Sequence, residues 1–288
     1  MRASNDQGGR HPMMRTRFAP SPTGWLHLGH ARAAAEAFGW ARMHGREAEC
    51  LLRIEDIDAA RCKSAYTRGI FEDLRWLGFG WPEPVRVQSA HLEDYARVAE
   101  RLREMGVLYP CDMSRAEVAA RTVDGVFRGE AVGGDNAPWR LDVRAARERL
   151  GEIGFMDNGR EVEVDWNRVP DAILVRRDTP RHAIGGGVGE KEWGTSYAIA
   201  ATHDDHLQGI THVVRGEDLR ATTPVQRILQ GLMGWRVPAY HHHDLVMDGE
   251  RKLSKRDGDA SLREMRARGV SAAEVLARAR GKPRPSPD

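Results

Sequence analysis

The sequence predicts an α/β fold: a doubly wound parallel sheet with helices on both faces, interrupted by an inserted α+β subdomain. Short apolar runs alternate with helical stripes up to residue 110, and the alternation resumes after residue 170. Between Cys111 and Pro170 the pattern breaks into short helical pieces and hairpin-like runs. At 288 residues the chain exceeds the usual size of one domain, so an insertion or a second domain is expected and a real core has room to form.

Taken in order, "RTRFA" is a short first strand that ends at Pro20, and a helix follows from Gly29 to His44, stopped by Gly45. "AECLLRIED" is a buried strand. The next helix, Ser64 to Leu77, carries Tyr66, Ile70, Leu74 and Leu77 on one face and ends at Gly78. A helix from Ser89 to Met105 repeats this with Leu92, Tyr95, Leu102 and Met105, ending at Gly106 before the strand-like "VLYPC". Within the insertion, "EVEVDW" reads as hairpin and "VGGDN" as a glycine-rich turn. The parallel sheet is expected to resume with "AILVRRD", "SYAIAAT" and "THVVRG". Thr223 as cap and Pro224 at the first position open a helix that turns Val225, Ile228, Leu229 and Leu232 inward. "AYHHHDLVMD" is the last strand and delivers the chain into the polar loop "GERKLSKRDGD". The expected organisation is a disordered leader over 1–13, a core domain over 14–110 and 171–256, an inserted subdomain over 111–170, and a basic tail over 257–288.

Hydrophobic residues at 41% and charged residues at 30% fit a soluble globular protein. No run approaches the ~18 apolar residues needed to span a bilayer, so no membrane segment is expected. The leader "MRASNDQGGRHPM" lacks the apolar core of a signal peptide, and three scattered cysteines, Cys50, Cys62 and Cys111, suit reduced thiols; both point to the cytoplasm. Net charge is only +2, yet from Arg251 to Asp288 eleven Lys/Arg face five Asp/Glu. A polyanion could bind there, although such an end is often merely solvated.

The chemistry concentrates at two places. In "APSPTGWLHLGHAR", His27 and His30 fall in the first turn of the first helix, where backbone N–H groups and the positive end of the helix dipole favour a phosphate. Gly29 allows close approach to the backbone, and Pro20 and Pro22 stiffen the turn. In "KLSKR", Lys252 and Lys255 flank Ser254 and are placed to neutralise charge on a phosphoryl group. Taken singly, paired histidines can be surface residues and a Lys-Ser-Lys loop is commonplace.

Together, "HLGH" at the first strand–helix junction and "KLSK" after the last strand resemble the two signatures of class I aminoacyl-tRNA synthetases. "RFAPSPTGWLHLGHAR", "LLRIEDID", "HDDHLQGITHVVRGEDL" and "KLSKR", in that order over residues 17–256, are similar to the glutamyl and glutaminyl branch. The resemblance implies a Rossmann-type catalytic domain. Because the chain stops soon after "KLSKR", no anticodon-binding domain is expected, as in the short glutamyl paralogues that attach glutamate to queuosine in the anticodon loop of tRNA(Asp). It also implies ATP and Mg2+, and a reaction in which the α-carboxylate of glutamate attacks the α-phosphorus of ATP. His27, Gly29 and His30 would hold ATP, and Lys255, assisted by Lys252, would stabilise the transition state. Arg17, Phe18, Ala19, Pro20, Ser21, Glu55, Tyr197 and Arg215 would form the glutamate pocket. Two arginines and one glutamate match the charges of a glutamate zwitterion with an anionic side chain.

L-glutamate and queuosine-bearing tRNA(Asp) are thus the implied partners, with a monomer as the default. The alternatives are a truncated glutamyl-tRNA synthetase charging tRNA(Glu) and a silent tRNA- or adenylate-binding paralogue. Many short paralogues carry a Cys-x-Cys pair followed by a tyrosine and a third cysteine, which bind zinc. Here Cys111 is retained, Met113 takes the second position and "RTVDGVFRGE" supplies neither later ligand. Zinc is therefore not expected, and packing alone is expected to hold the insertion. His203 and His206 in "HDDH", and His241 and His243 in "HHH", are assigned to the rim of the site rather than to a metal. Trp25, Trp40 and Trp76 are assigned to packing, and Trp25 could also border the ATP pocket.

Overall fold

β1 (Arg15–Phe18), β2 (Glu49–Ile54) and β3 (Arg86–Val87) pair in parallel, with α1 (Leu28–Met43) and α2 (Ser64–Trp76) between them in sequence. In this computed structural model the described residues are 13–45, 47–134, 136–177, 193–248, 251–252 and 260–280. Ala31, Ala34, Ala37 and Ala41 form the buried face of α1, so the helix lies close against β1 and β2. Gly45 and Gly78 follow α1 and α2 at φ 102° and 83°, which a side chain rarely adopts. Leu52 pairs with Phe18, and beyond them Glu55 N donates to Pro20 O at 3.1 Å. The carboxyl end of β2 is thereby held beside the turn that leads into α1.

α3 (Leu92–Glu104) follows a short 3-10 turn at Gln88–Ala90 and leads to β4 (Leu108–Pro110). α4 (Arg115–Arg121), β5 (Trp139–Leu141), α5 (Val143–Leu150), β6 (Gly154–Asp157) and β7 (Arg160–Glu163) then precede β8 (Ile173–Arg177) and β9 (Trp193–Thr195). β4, β5, β8 and β9 make one antiparallel sheet. "AILVRRD" is therefore a strand but not a parallel one, because β5 folds back on β4 and β8 adds to its other edge. An apolar run does not encode strand direction.

"SYAIAAT" is not a strand. It opens α6 (Tyr197–Leu207), capped by Ser196, whose Oγ accepts from Ile199 N. Four consecutive residues, Ile199 to Thr202, are buried, so the helix shows no single apolar stripe and reads like a buried strand. β10 (His212–Gly216), α7 (Thr223–Met233) and β11 (Ala239–His243) restore the parallel pattern. The cap of α7 is Thr222 rather than Thr223, and the Thr223 hydroxyl is occupied inside the site. β6 joins β11 in parallel, with Tyr240 opposite Asp157, and β7 pairs back on β6 through an Asn158–Gly159 turn with φ 48° and 75°. β10 is fastened to β1 by Thr211 N donating to Arg15 O at 2.9 Å.

"AYHHHDLVMD" divides into β11 and a separate short strand, β12 (Met247–Asp248), which pairs antiparallel with β13 (Arg251–Lys252). The segment expected as a basic tail contributes α8 (Leu262–Ala267) and α9 (Ala272–Arg280). Leu262, Met265, Val275 and Ala279 are buried in the core shared by α1 and α2. Counting charge hid this short amphipathic spacing.

The segment from β4 to β8 is not held by packing alone. The buried Asp171 carboxylate accepts from Tyr109 OH at 2.8 Å, Gly129 N at 2.9 Å and Val143 N at 3.4 Å, while Asp171 O accepts from Arg140 Nη1 at 2.8 Å. Cys111 is buried beside Tyr109, Phe127 and Met113. Among the described residues no helix is long and apolar enough to cross a membrane.

Candidate active site

The first turn of α1 is capped by its own imidazoles. His27 Nδ1 accepts from Gly29 N at 3.1 Å, His30 Nδ1 accepts from His27 N at 3.2 Å, and the two rings lie 4.0 Å apart. A Cβ at position 29 would sit 2.9 Å from the His27 ring, so glycine makes room for the imidazole as well as for a ligand. Trp25 rests on α2, where a Cβ on Gly69 would come within 2.6 Å of its ring; Tyr66 meets it edge-on, and the Arg263 guanidinium lies 4.6 Å over it. Leu262 N donates to Leu26 O at 2.8 Å. The start of α8 is therefore tied to the residue beside His27. Lys255 lies outside the described residues, and Lys252 is described only as part of β13. Lys255 precedes Leu262 by seven positions, a chain span of at most roughly 25 Å.

The carboxyl ends of β1, β2 and β10 and both ends of α6 assemble a second, largely buried group of charges. Arg17 donates from Nε to Asp205 Oδ1 at 2.9 Å and from Nη2 to Oδ2 at 3.4 Å. Arg53, fully buried, donates from Nη1 to the same Asp205 Oδ1 at 2.8 Å and from Nη2 to Glu55 Oε1 at 3.0 Å. With both carboxyls ionised, Arg17, Arg53, Glu55 and Asp205 sum to zero charge. Burial pushes the Asp205 pKa upward, but Arg17 and Arg53 outweigh it and hold the carboxyl below its usual range. Glu55 goes the other way: burial raises its pKa against the pull of Arg53 and Arg17. Tyr197, at the start of α6, stands within electrostatic reach of Glu55, Arg215, Arg17 and Asp205 together; burial, then Glu55, raises its pKa. Asp204 lies beside this group, 4.0 Å from Arg53 Nε, accepting from Arg86 Nε at 2.8 Å, Gln88 Nε2 at 3.0 Å and Tyr95 OH at 2.8 Å.

Arg215 is held differently. Its Nη1 donates to Gln226 Oε1 at 2.8 Å, Nη2 to Thr223 Oγ1 at 2.7 Å and Nε to His242 Nε2 at 3.2 Å, and the guanidinium lies 5.3 Å from the centre of the Tyr240 ring. These partners are neutral. His242 is driven down to about 3 by burial and by Arg215, so it is an uncharged imidazole at neutral pH. Among the described residues no carboxylate forms an ion pair with Arg215, although only 5% of the residue is exposed. A buried cation without a counterion is costly unless an anion arrives to meet it.

Of the residues expected from sequence, the fold gathers Arg17, Glu55, Tyr197 and Arg215 into one charge cluster. Ala19, Pro20 and Ser21 lie on the adjoining turn, while Phe18 turns into the core under α1. His203 and His206 pack on Trp235, and His241 packs on Trp40. His242 and His243 are both buried. Sequence reasoning missed Arg53, Asp204, Asp205, Asp157 and His242. The available signal is the pair of adjacent acids in "HDDH", between the two histidines assigned to the rim. Among the described residues no group of three or more His, Cys, Asp or Glu could hold a metal ion.

Residues 13–127 and 160–278 match the family described as tRNA synthetases class I (E and Q), catalytic domain. The chain belongs to that family. As a class I tRNA synthetase catalytic domain it is a ligase of the aminoacyl-tRNA synthetase type. It is 39% identical, over 91% of its length and 98% of the relative's, to the glutamyl-Q tRNA(Asp) synthetase of Rhodobacter capsulatus. It is 41% identical to glutamate–tRNA ligase 2 of Acidiphilium cryptum over 92% of its own length, but spans only 60% of that protein. A glutamate tRNA ligase of Elizabethkingia meningosepticum, solved in complex with its amino acid, superposes with a TM-score of 0.65 at 28% identity, covering 86% of this class I domain and 53% of that chain.

Proposed function

We propose that this protein activates L-glutamate with ATP, forming glutamyl-adenylate and pyrophosphate, and transfers the glutamyl group to queuosine in the anticodon loop of tRNA(Asp). The observation that carries the first half is the lone charge of Arg215. With Asp204 balanced by Arg86, a neutral quartet of Arg17, Arg53, Glu55 and Asp205 plus one arginine held only by neutral acceptors leaves a net charge of +1. Glutamate, at net charge −1, completes it; glutamine does not. Arg215 takes one substrate carboxylate, Glu55 draws the ammonium, and Tyr197 offers its hydroxyl. Arg17 shapes the floor through Asp205 and keeps Glu55 company as a second cation.

ATP enters with magnesium on its phosphates, as part of the substrate, against His27, Gly29 and His30, and Lys255 and Lys252 neutralise charge on the departing pyrophosphate. Positioning and charge stabilisation supply the catalysis, with little covalent chemistry for the protein. The near-complete span of the R. capsulatus relative supports the queuosine acceptor. The glutamate–tRNA ligases, of which this chain covers 53–60%, support a second reading, charging of the 3′ end of tRNA(Glu).

Pyrophosphate exchange run in parallel with glutamate, glutamine and aspartate tests activation; exchange with glutamate alone is expected. Incubation with labelled glutamate, ATP and tRNA(Asp) with or without queuosine, followed by nuclease mapping, tests the acceptor. Equal labelling of both tRNAs, or label at the 3′ end, removes the queuosine assignment.

A further inference from the structure

We infer that His242 and Asp157 are positioning residues for glutamate recognition, acting through Arg215. The inference rests on the reading that Arg215 meets a glutamate carboxylate. A side-on Nε–H of arginine needs an acceptor, and His242 Nε2 supplies it at 3.2 Å, also lying 3.2 Å from Thr223 Oγ1. For Nε2 to accept, the ring proton must sit on Nδ1. Asp157 enforces this, because its Oδ1 lies 2.8 Å from His242 Nδ1 and can only accept from it when ionised. Arg220 in turn pairs with Asp157, and its Nε and Nη2 donate to both oxygens of Glu217.

The result is a chain of alternating partners from the surface to the pocket: Glu217, Arg220, Asp157, His242, Arg215. Its five members come from four elements. Asp157 ends β6, His242 lies in β11, Arg215 in β10, and Glu217 and Arg220 belong to the turn before α7. Asn158 reinforces the crossing, its Oδ1 accepting from His242 N at 3.0 Å and its Nδ2 donating to His242 O at 3.2 Å. The β6–β7 hairpin thus bears on Arg215 through His242 rather than by direct contact. A direct carboxylate on Arg215 would cancel the charge that reads glutamate. Interposing a neutral imidazole holds the guanidinium in place and leaves its charge for the ligand.

The test is glutamate-dependent pyrophosphate exchange by the full chain carrying Asp157→Asn, His242→Ala or His242→Gln, with KM for glutamate and for ATP measured separately. An asparagine amide at 157 can donate to Nδ1 and so drive the proton to Nε2, where it opposes Arg215. Asp157→Asn and His242→Ala are expected to raise KM for glutamate about tenfold with KM for ATP nearly unchanged, and His242→Gln, whose amide oxygen can accept from Arg215, to recover most of the loss. A 15N-histidine spectrum should show His242 protonated at Nδ1 in the wild type and at Nε2 in Asp157→Asn. Should Asp157→Asn fail to fold, the His242→Ala and His242→Gln pair decides. Unchanged KM for glutamate in folded variants, or glutamate and ATP constants rising together, overturns the inference. A wild type with no glutamate-dependent exchange instead removes the reading on which it rests.

Discussion

Arg17 and Arg215 are the two arginines that the sequence offers as equivalent forks for a dicarboxylate, and the fold treats them oppositely. Arg17 is buried against Asp205, which it shares with Arg53, and its charge is spent within the protein. Arg215 is as deeply buried, but its three nitrogens meet an amide oxygen, a hydroxyl and a neutral imidazole. One arginine is compensated within the protein; the other keeps its charge, which the proposed function assigns to the substrate. The lesson is that burial of a charge says little until its counterion is named, because a compensated pair and an uncompensated cation have opposite consequences when mutated.

That contrast is broken most severely at Asp205. Asp205→Ala leaves Arg17 and Arg53 buried without their shared carboxylate and should cost about 3–5 kcal/mol of stability, read as a large fall in the urea midpoint. Arg215→Gln should do the reverse. Stability should hold or rise, since an uncompensated buried charge is removed, while kcat/KM for glutamate falls by about 2–5 kcal/mol of transition-state stabilisation. If both variants unfold equally, the two arginines are not distinct.

The pH dependence sharpens the same point. His242 has a folded pKa of about 3, and an ordinary histidine titrates near ~6.5. The unfolded chain therefore binds more protons between these values, so the contribution is fully present above ~6.5 and is lost as pH falls toward ~3, by at most about 1.4 kcal/mol per unit. Urea midpoints of the wild type should fall along this window, and those of His242→Gln should fall less steeply. The smallest effect is expected at Thr223→Val, which removes one neutral acceptor from Arg215: about 1 kcal/mol, seen as a several-fold rise in KM for glutamate without change in KM for ATP.

The first strand–helix–strand–helix stretch was legible because its apolar spacing is regular and its helices end in glycine. "SYAIAAT" was not, because a helix buried on several sides loses the stripe that marks it. α8 and α9 escaped for another reason: their few apolar residues are spaced within a run whose charge draws the eye. At the site, Arg17, Glu55, Tyr197 and Arg215 are residue types that suit glutamate, and the fold brings them into one cluster. Arg53 sits between them in "LLRIED", yet its partner Asp205 is 152 residues away, and His242 and Asp157 are separated by 85. Such pairs exist only in three dimensions, so no local pattern announces them.

Ligand-induced thermal stabilisation tests the central claim most directly, comparing wild type and Arg215→Gln with glutamate and with glutamine. Glutamate should raise the wild-type Tm, glutamine should not, and Arg215→Gln should lose the response to glutamate. An Arg215→Gln protein stabilised by glutamate as fully as the wild type would contradict the account.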